Sequence, residues 1–385
     1  MKIGLITFHF AHNQGAVLQC YALQKALEEM ECEVKVINYC PAYHTVRYSS
    51  KPNPFIMAAQ AYRKSKNRKL HWRLYQTTRD FCKGIYINVT KRYAQREQNF
   101  SRFINENLNL TKRYKTLKAL CKDSPDFDIY ISGSDQLWNP ELLDGSFDPA
   151  YFLNFGSSDT RKITYAVSLK ESYTEDEQKM MAKLCEKLDA FSFREPNSVA
   201  DEVLCGDYTT CIDPTLLLDC ESYHNVVSEK AEKDPYIFVY GFQTTNEIIE
   251  AVDTISKELG IRVINGSPHR ISLSGAKQAK DYGPDMFLSY IKNASFVITN
   301  SFHGTAFSII FKKQFVTIAH TTRGKRMKYI LENLGLSGRL WEGSTCDWKS
   351  EIDYTEADKK RNCLKTHALN YLKENINKKN QDSCK

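Results

Sequence analysis

The stretch Val297-Ile-Thr-Asn-Ser-Phe-His-Gly-Thr-Ala-Phe-Ser-Ile-Ile-Phe311 most constrains what this 385-residue chain can fold into. A β-branched run gives way to small polar residues around His303 and then to an apolar run, which predicts strand, turn and helix. A helix that opens near Ser301 leaves its first backbone N–H groups unpaired. An anion such as phosphate or carboxylate can satisfy them there, with His303 beside it. Gly304 carries no Cβ to hold such a ligand off the backbone. The structural alternative makes Ser301 an N-cap only and His303 a partly buried helix residue.

Four further stretches have the same form, a strand that empties into a polar cluster. They are Lys2–Phe8 with His9–Gly15 and the helical run from Ala16, Phe127–Asn139, Ala190–Ser198, and Cys211–Leu218. Strands are also predicted at Glu33–Asn38 and Lys162–Ser168, with a helix over Glu175–Leu188. After residue 230 a second unit begins: strand Tyr236–Tyr240, helix Asn246–Leu259, strand Ile261–Asn265, helix Asp285–Lys292, strand Ser295–Thr299, the His303 helix and strand Gln314–Ile318. Short apolar strands alternating with helices argue for α/β architecture with parallel sheets covered on both faces. The expected organisation is an N-terminal α/β domain over 1–230, with a basic helical insertion at about 43–125. A C-terminal α/β domain over 231–385 follows, its last helix, about 355–378, packing back on the first domain. In parallel sheets ligands sit outside the carboxyl ends of strands, where each polar cluster lies.

In order along the chain, Q-G-A-V-L-Q-x-Y-A-L from Gln14, S-G-S-D-Q-x-W-N from Ser132, R-E at Arg194, D-P-T-L-L-L from Asp213 and T-N-S-F-H-G-T-A-F-S-I-I-F from Thr299 resemble the polysaccharide pyruvyl transferase family. The resemblance runs from residue 1 to about Arg339 and is interrupted mainly between residues 43 and 125. It implies two Rossmann-like domains facing a cleft, similar to the glycosyltransferase B arrangement. It also implies phosphoenolpyruvate as donor and co-substrate, no further cofactor, and a cyclic pyruvate ketal on a sugar diol with release of phosphate, in surface or capsular polysaccharide biosynthesis.

That chemistry requires groups for the donor's phosphate and carboxylate, an acid for the enol carbon and a base for the attacking hydroxyl. His303 is the candidate acid, since imidazolium exists near neutral pH. Asn300, Ser301, Gly304 and Thr305 frame the anion site around it. Arg194 follows a strand directly and can hold a carboxylate or phosphate with its two-pronged guanidinium; the alternative is a salt bridge with Glu195 or Asp213. Arg326 is a second donor-binding candidate. Asp135 beside Trp138 suits sugar recognition, the carboxylate accepting hydroxyl hydrogen bonds and the indole stacking on C–H groups, and Asp135 is also a candidate base. The alternative for Asp135 is an N-cap. Asp213, held extended by Pro214, reads as structural. Asn13, Gly15 and Gln19 line the exit of the first strand. Two positions depart from the family pattern: Gln14 stands where an aromatic residue is usual, and Asn300 where an Asp is common.

No apolar run is long enough to span a bilayer, and the first residues read as a strand rather than a signal peptide, so a cytoplasmic protein is expected. The twelve cysteines show no C-x-x-C spacing, and Cys20, Cys185 and Cys211 fall on apolar faces, which points to buried thiols and no metal site. The net charge of +7 is unevenly spread. Residues 47–122 hold 19 Lys/Arg against Asp80, Glu97 and Glu106, while the rest of the chain holds 34 basic and 43 acidic residues. Aromatic residues, among them Trp72, Tyr75, Tyr86 and Phe103, are interleaved with this charge. The segment therefore suits an anionic membrane surface and a lipid-linked oligosaccharide acceptor at the inner face of the membrane. No nucleic-acid recognition motif accompanies it. A solvated helical lid is the plain alternative. Two other functions remain open: a nucleotide-sugar glycosyltransferase using Asp281 or Asp285 for ribose, and a non-catalytic membrane-surface scaffold.

Overall fold

The structure is a computed structural model that describes residues 1–230, 232–268, 271–319, 324–343 and 346–378. The chain forms two compact units, Met1–Pro214 joined by the chain from Asn370, and Thr215–Leu369. The division falls at Pro214, where the sequence places it near residue 230.

The first unit contains β1 (Lys2–Ile6), α1 (Gln14–Glu28), β2 (Glu33–Val36), α2 (Ala42–Thr45), α3 (Pro54–Lys64), α4 (Leu70–Thr90), α5 (Ala94–Asn107), α6 (Leu117–Lys122), β3 (Ile129–Asp135), β4 (Arg161–Val167), α7 (Glu175–Cys185), β5 (Ser192–Phe193), α8 (Ser198–Leu204) and β6 (Thr209–Thr210). Its sheet is parallel throughout, in the order β2-β1-β3-β4-β5-β6. β1 is apolar on both faces and buried beyond Lys2, as a central parallel strand must be. α7 starts with a capping box between Thr174 and Glu177. Of the strand expected at Ala190–Arg194 only β5 forms, and the strand expected to open Cys211–Leu218 lies just before that stretch as β6, since Pro214 has no N–H for a ladder and starts a 3-10 turn over Pro214–Leu217.

The second unit contains α9 (Cys220–Tyr223), β7 (Tyr236–Tyr240), α10 (Asn246–Leu259), β8 (Arg262–Asn265), β9 (Lys277–Gln278), α11 (Pro284–Asn293), β10 (Phe296–Thr299), α12 (Phe302–Ile310), β11 (Phe315–Thr317), α13 (Gly324–Asn333) and α14 (Tyr354–Asn377). Its parallel sheet runs β11-β10-β7-β8-β9. α10 is capped by Thr245 and ends at Gly260 in the left-handed conformation that glycine adopts without strain. The end of α14 belongs to the first unit, where the Tyr371 hydroxyl donates to Thr164 O and Arg161 donates to Asn375.

Each strand order contains one reversal, between β1 and β3 in the first sheet and between β7 and β10 in the second. At such a point consecutive connections leave the sheet in opposite directions and open a crevice beyond the carboxyl ends of the strands.

Candidate active site

In the first unit, four of the polar clusters join at that reversal as one buried network. Gln19, from the second turn of α1, donates to the Thr7 hydroxyl at 2.8 Å and accepts from the Ser134 N–H at 2.9 Å. The Thr7 hydroxyl donates to Ser134 O at 3.1 Å. Arg194, just past β5, donates to the Ser134 hydroxyl at 2.7 Å and pairs with Asp213 at 2.9 Å. Gln19, Ser134, Arg194 and Asp213 are all buried. The ion-pair alternative for Arg194 is therefore realised with Asp213, while Glu195 accepts from the Ser168 hydroxyl at 2.6 Å.

Asp135 closes β3 at φ 84°, a left-handed conformation that Asp tolerates better than most residues. Its carboxylate accepts from the Gln136 N–H at 2.8 Å, and it stays partly exposed at the reversal. Trp138 does not share that exposure. Its indole is fully buried, stacked on Phe152 at 4.3 Å and edge-on to Phe193, with its N–H donating to Tyr151 O. A sugar cannot reach either face, so Trp138 is corrected from a stacking platform to a core residue. Asn13 caps α1 by accepting from the Ala16 N–H, and Gly15 is buried in the first turn.

In the second unit, Asn300 stitches the two strands that flank the reversal. It accepts from the Phe242 N–H at 2.8 Å and donates to Gln243 O at 2.9 Å. An Asp could not make the second bond, which gives the departure at this position a physical reason. Ser301 caps α12 by accepting from the Gly304 N–H, and the buried Thr305 hydroxyl lies 2.8 Å from that of Thr317. His303, the second residue of α12, is only 9% exposed and meets Phe302 edge-on at 5.3 Å. A Cβ on Gly304 would lie 2.2 Å from the Thr299 hydroxyl, so close packing of α12 on β10 already requires glycine there, independently of any ligand. Arg326 lies partly buried in the first turn of α13, whereas Arg323 of the same motif is outside the described residues.

A cavity of about 520 Å³ opens at the carboxyl edge of β1 and β2, a size usual for small-molecule sites. His9, Asn38 and Cys40 form one wall, and Tyr48, Ile56, Glu97 and Arg113 others. The ring nitrogens of His9 lie 3.2 Å from Thr7 O and 3.1 Å from the Asn38 side-chain oxygen. Burial foremost, and the nearby Asp135 carboxylate after it, push the Tyr48 phenol up, with Arg47 and Arg96 opposing.

Three histidines around this cavity are held neutral. Burial brings His9 down to about 4 against its hydrogen bonds to Asn38 and Thr7. Burial with Arg96 brings His12 to about 3, and burial with Arg47 and Lys64 does the same for His44. An unfolded histidine takes up its proton below about pH 6.5, whereas these do not, so the unfolded state binds more protons and stability falls from about pH 6.5 towards pH 4. His44 packs among Phe8, Phe10 and Tyr48. His44→Phe should therefore flatten the fall by up to about 1.4 kcal/mol per pH unit. Chemical denaturation at pH 6 and pH 5 measures this, and identical slopes in the two proteins would refute the neutral assignment.

The sequence profile of the polysaccharide pyruvyl transferase family matches residues 13–322. The chain belongs to that family. Among solved structures the chain is similar to Staphylococcus aureus MnaA in a structure with UDP, at 12% identity over 98% of this chain and 88% of that one, TM-score 0.47. It is also similar to the Streptomyces sp. SF2575 glycosyltransferase SsfS6 complexed with thymidine diphosphate, at 11% identity over 96% of each chain, TM-score 0.41. A third is the UDP-GlcNAc 2-epimerase of Neisseria meningitidis bound to UDP-GlcNAc, at 8% identity over 98% and 99%, TM-score 0.46. No curated protein matches the chain.

Within this family member, Gln19, Asp135 and Arg194 come together at one sheet reversal, and Asn300, Ser301, His303, Gly304 and Thr305 gather at the other. The cavity beside β1 and β2 was not assigned from the sequence. Its available signal was His9-Phe-Ala-His12, two histidines within four residues of a strand exit.

Proposed function

We propose that this family member moves the pyruvyl group of phosphoenolpyruvate onto a sugar diol as a cyclic ketal, releasing phosphate. The observation that carries the reading is His303, nearly buried at the opening of α12 beside the reversal between β7 and β10. The positive end of a helix dipole favours a phosphate or carboxylate, and such an anion favours the protonated imidazole that the chemistry needs. His303 gives its proton to the enol carbon C3, which makes C2 electrophilic. One sugar hydroxyl adds at C2 and loses its proton to a base. The C2–O bond to phosphate then breaks with its electron pair on the leaving phosphate, the second hydroxyl attacks C2 and gives its proton to the His303 imidazole that protonated C3, and the ring closes.

In the first unit, Asp135 is the carboxylate proposed to receive an acceptor hydroxyl proton, because it is partly exposed at the strand reversal. The cavity of the same unit, with Asn38, Tyr48 and the neutral His9, offers the mixture of uncharged polar groups and rings that suits a sugar. Arg194, neutralised by Asp213, is proposed to hold the first site in shape rather than to touch the donor. Incubation with phosphoenolpyruvate and a panel of sugar acceptors tests the reading. Expected are a mass gain of one ketal-linked pyruvate and an equal amount of free phosphate. Thermal stabilisation by nucleotide sugars, with none from phosphoenolpyruvate, would overturn it in favour of glycosyl transfer.

A further inference from the structure

The outer face of α4 is apolar. Leu74, Tyr75, Cys82, Ile85, Tyr86 and Val89 are all exposed, and at 3.6 residues per turn they fall within an arc of about 120°. Gly84 and Ile87, the buried residues of this helix, lie on its opposite side. Gly84 accounts for the orientation: a Cβ there would meet the Pro54 backbone at 2.9 Å, so α4 packs closely on α3 along that side and must present the other outward. α3 adds Phe55, which is 73% exposed and set edge-on to Phe81 at 5.2 Å. Of the twelve exposed large hydrophobic side chains among the described residues, nine lie between Phe55 and Val89. Scattered apolar exposure is ordinary, but a concentration on one helix pair marks a contact surface.

The charge around this face indicates the partner. Residues 54–92 contain ten Lys/Arg, and Asp80 is their one acidic residue, paired with Arg79. Arg79 and Lys83 border one edge of the apolar arc, and Lys91 and Arg92 follow the end of the helix. An apolar stripe bordered by basic residues, with Trp72, Tyr75 and Tyr86 at its margins, matches an anionic lipid surface: rings settle at headgroup depth and cations meet phosphates. We propose that α4, assisted by Phe55 of α3, seats the protein in the interface of an anionic membrane. This narrows the surface expected over residues 47–122, since Phe100, Phe103 and Ile104 of α5 are buried.

Co-sedimentation of the full-length protein with vesicles tests it, comparing phosphatidylcholine alone with equal parts phosphatidylcholine and phosphatidylglycerol. Binding to the anionic vesicles at low salt and release at high salt are expected, since the charge attraction is screened over about 8 Å at physiological ionic strength. Arg79→Gln with Lys83→Gln should weaken binding about 25-fold, at about fivefold per basic residue. Ile85→Glu with Val89→Glu should weaken it at least tenfold, and both side chains are exposed enough to change without unfolding the helix. Equal pelleting with both vesicle types, no pelleting at low salt, or unchanged pelleting of both variants would overturn the proposal. Sedimentation velocity covers the remaining occupant. If Ile85→Glu with Val89→Glu splits a dimer while leaving lipid binding intact, the stripe joins two copies of the chain instead.

Discussion

Replacing His303 with Gln is expected to lower turnover by ~10²-fold or more, the usual size of a lost general acid, while leaving the melting temperature nearly unchanged. Gln is chosen because His303 is only 9% exposed and an Ala there would leave space beside Phe302. The decisive comparison is between binding and chemistry. A residue that protonates C3 acts in the transition state, so kcat and kcat/KM should fall together. A residue that only binds the donor's anions should raise KM for phosphoenolpyruvate and spare kcat. Gln keeps a hydrogen-bond donor but cannot deliver a proton, which separates the two roles. Turnover close to that of the unaltered protein would remove His303 from the mechanism.

The strand exits were legible because burial on both faces of a parallel sheet forces short β-branched runs, and those runs end abruptly where the chain turns polar. Tyr236–Tyr240 and Asn246–Leu259 have the same bounds in the sequence reading and in the structure. The same logic placed Ser301 as the cap of α12. What sequence patterning does not carry is the direction of a polar side chain at such an exit. Gln19 sits on the expected helix and Asn300 in the expected polar cluster, yet their amides bond across to neighbouring strand ends. Trp138 follows the Gly-Ser-Asp end of β3, a polar setting that suggests exposure, but Phe152 and Phe193 arrive from elsewhere in the chain to cover it. The cavity beside β1 and β2 needs residues as distant as His9, Ile56 and Arg113, and no local pattern announces such a gathering.

Arg194→Met should cost about 3–5 kcal/mol, the usual penalty for removing one partner of a buried ion pair. Asp213 is fully buried at the side chain, so losing the guanidinium strips the main compensation for its charge. For a unit of this size the melting temperature should drop by roughly 6–20 °C. The double variant Arg194→Met with Asp213→Leu discriminates the structural role from a donor-binding one. Replacing a buried pair by apolar groups of similar volume is often neutral, so stability should return. If Arg194 only braces β3, β5 and β6 through Ser134 and Asp213, the KM for phosphoenolpyruvate should return with it. A double variant that melts normally but still shows a KM raised tenfold or more would instead put the guanidinium on the donor. Calorimetry and initial-rate kinetics on the same three proteins decide between the two.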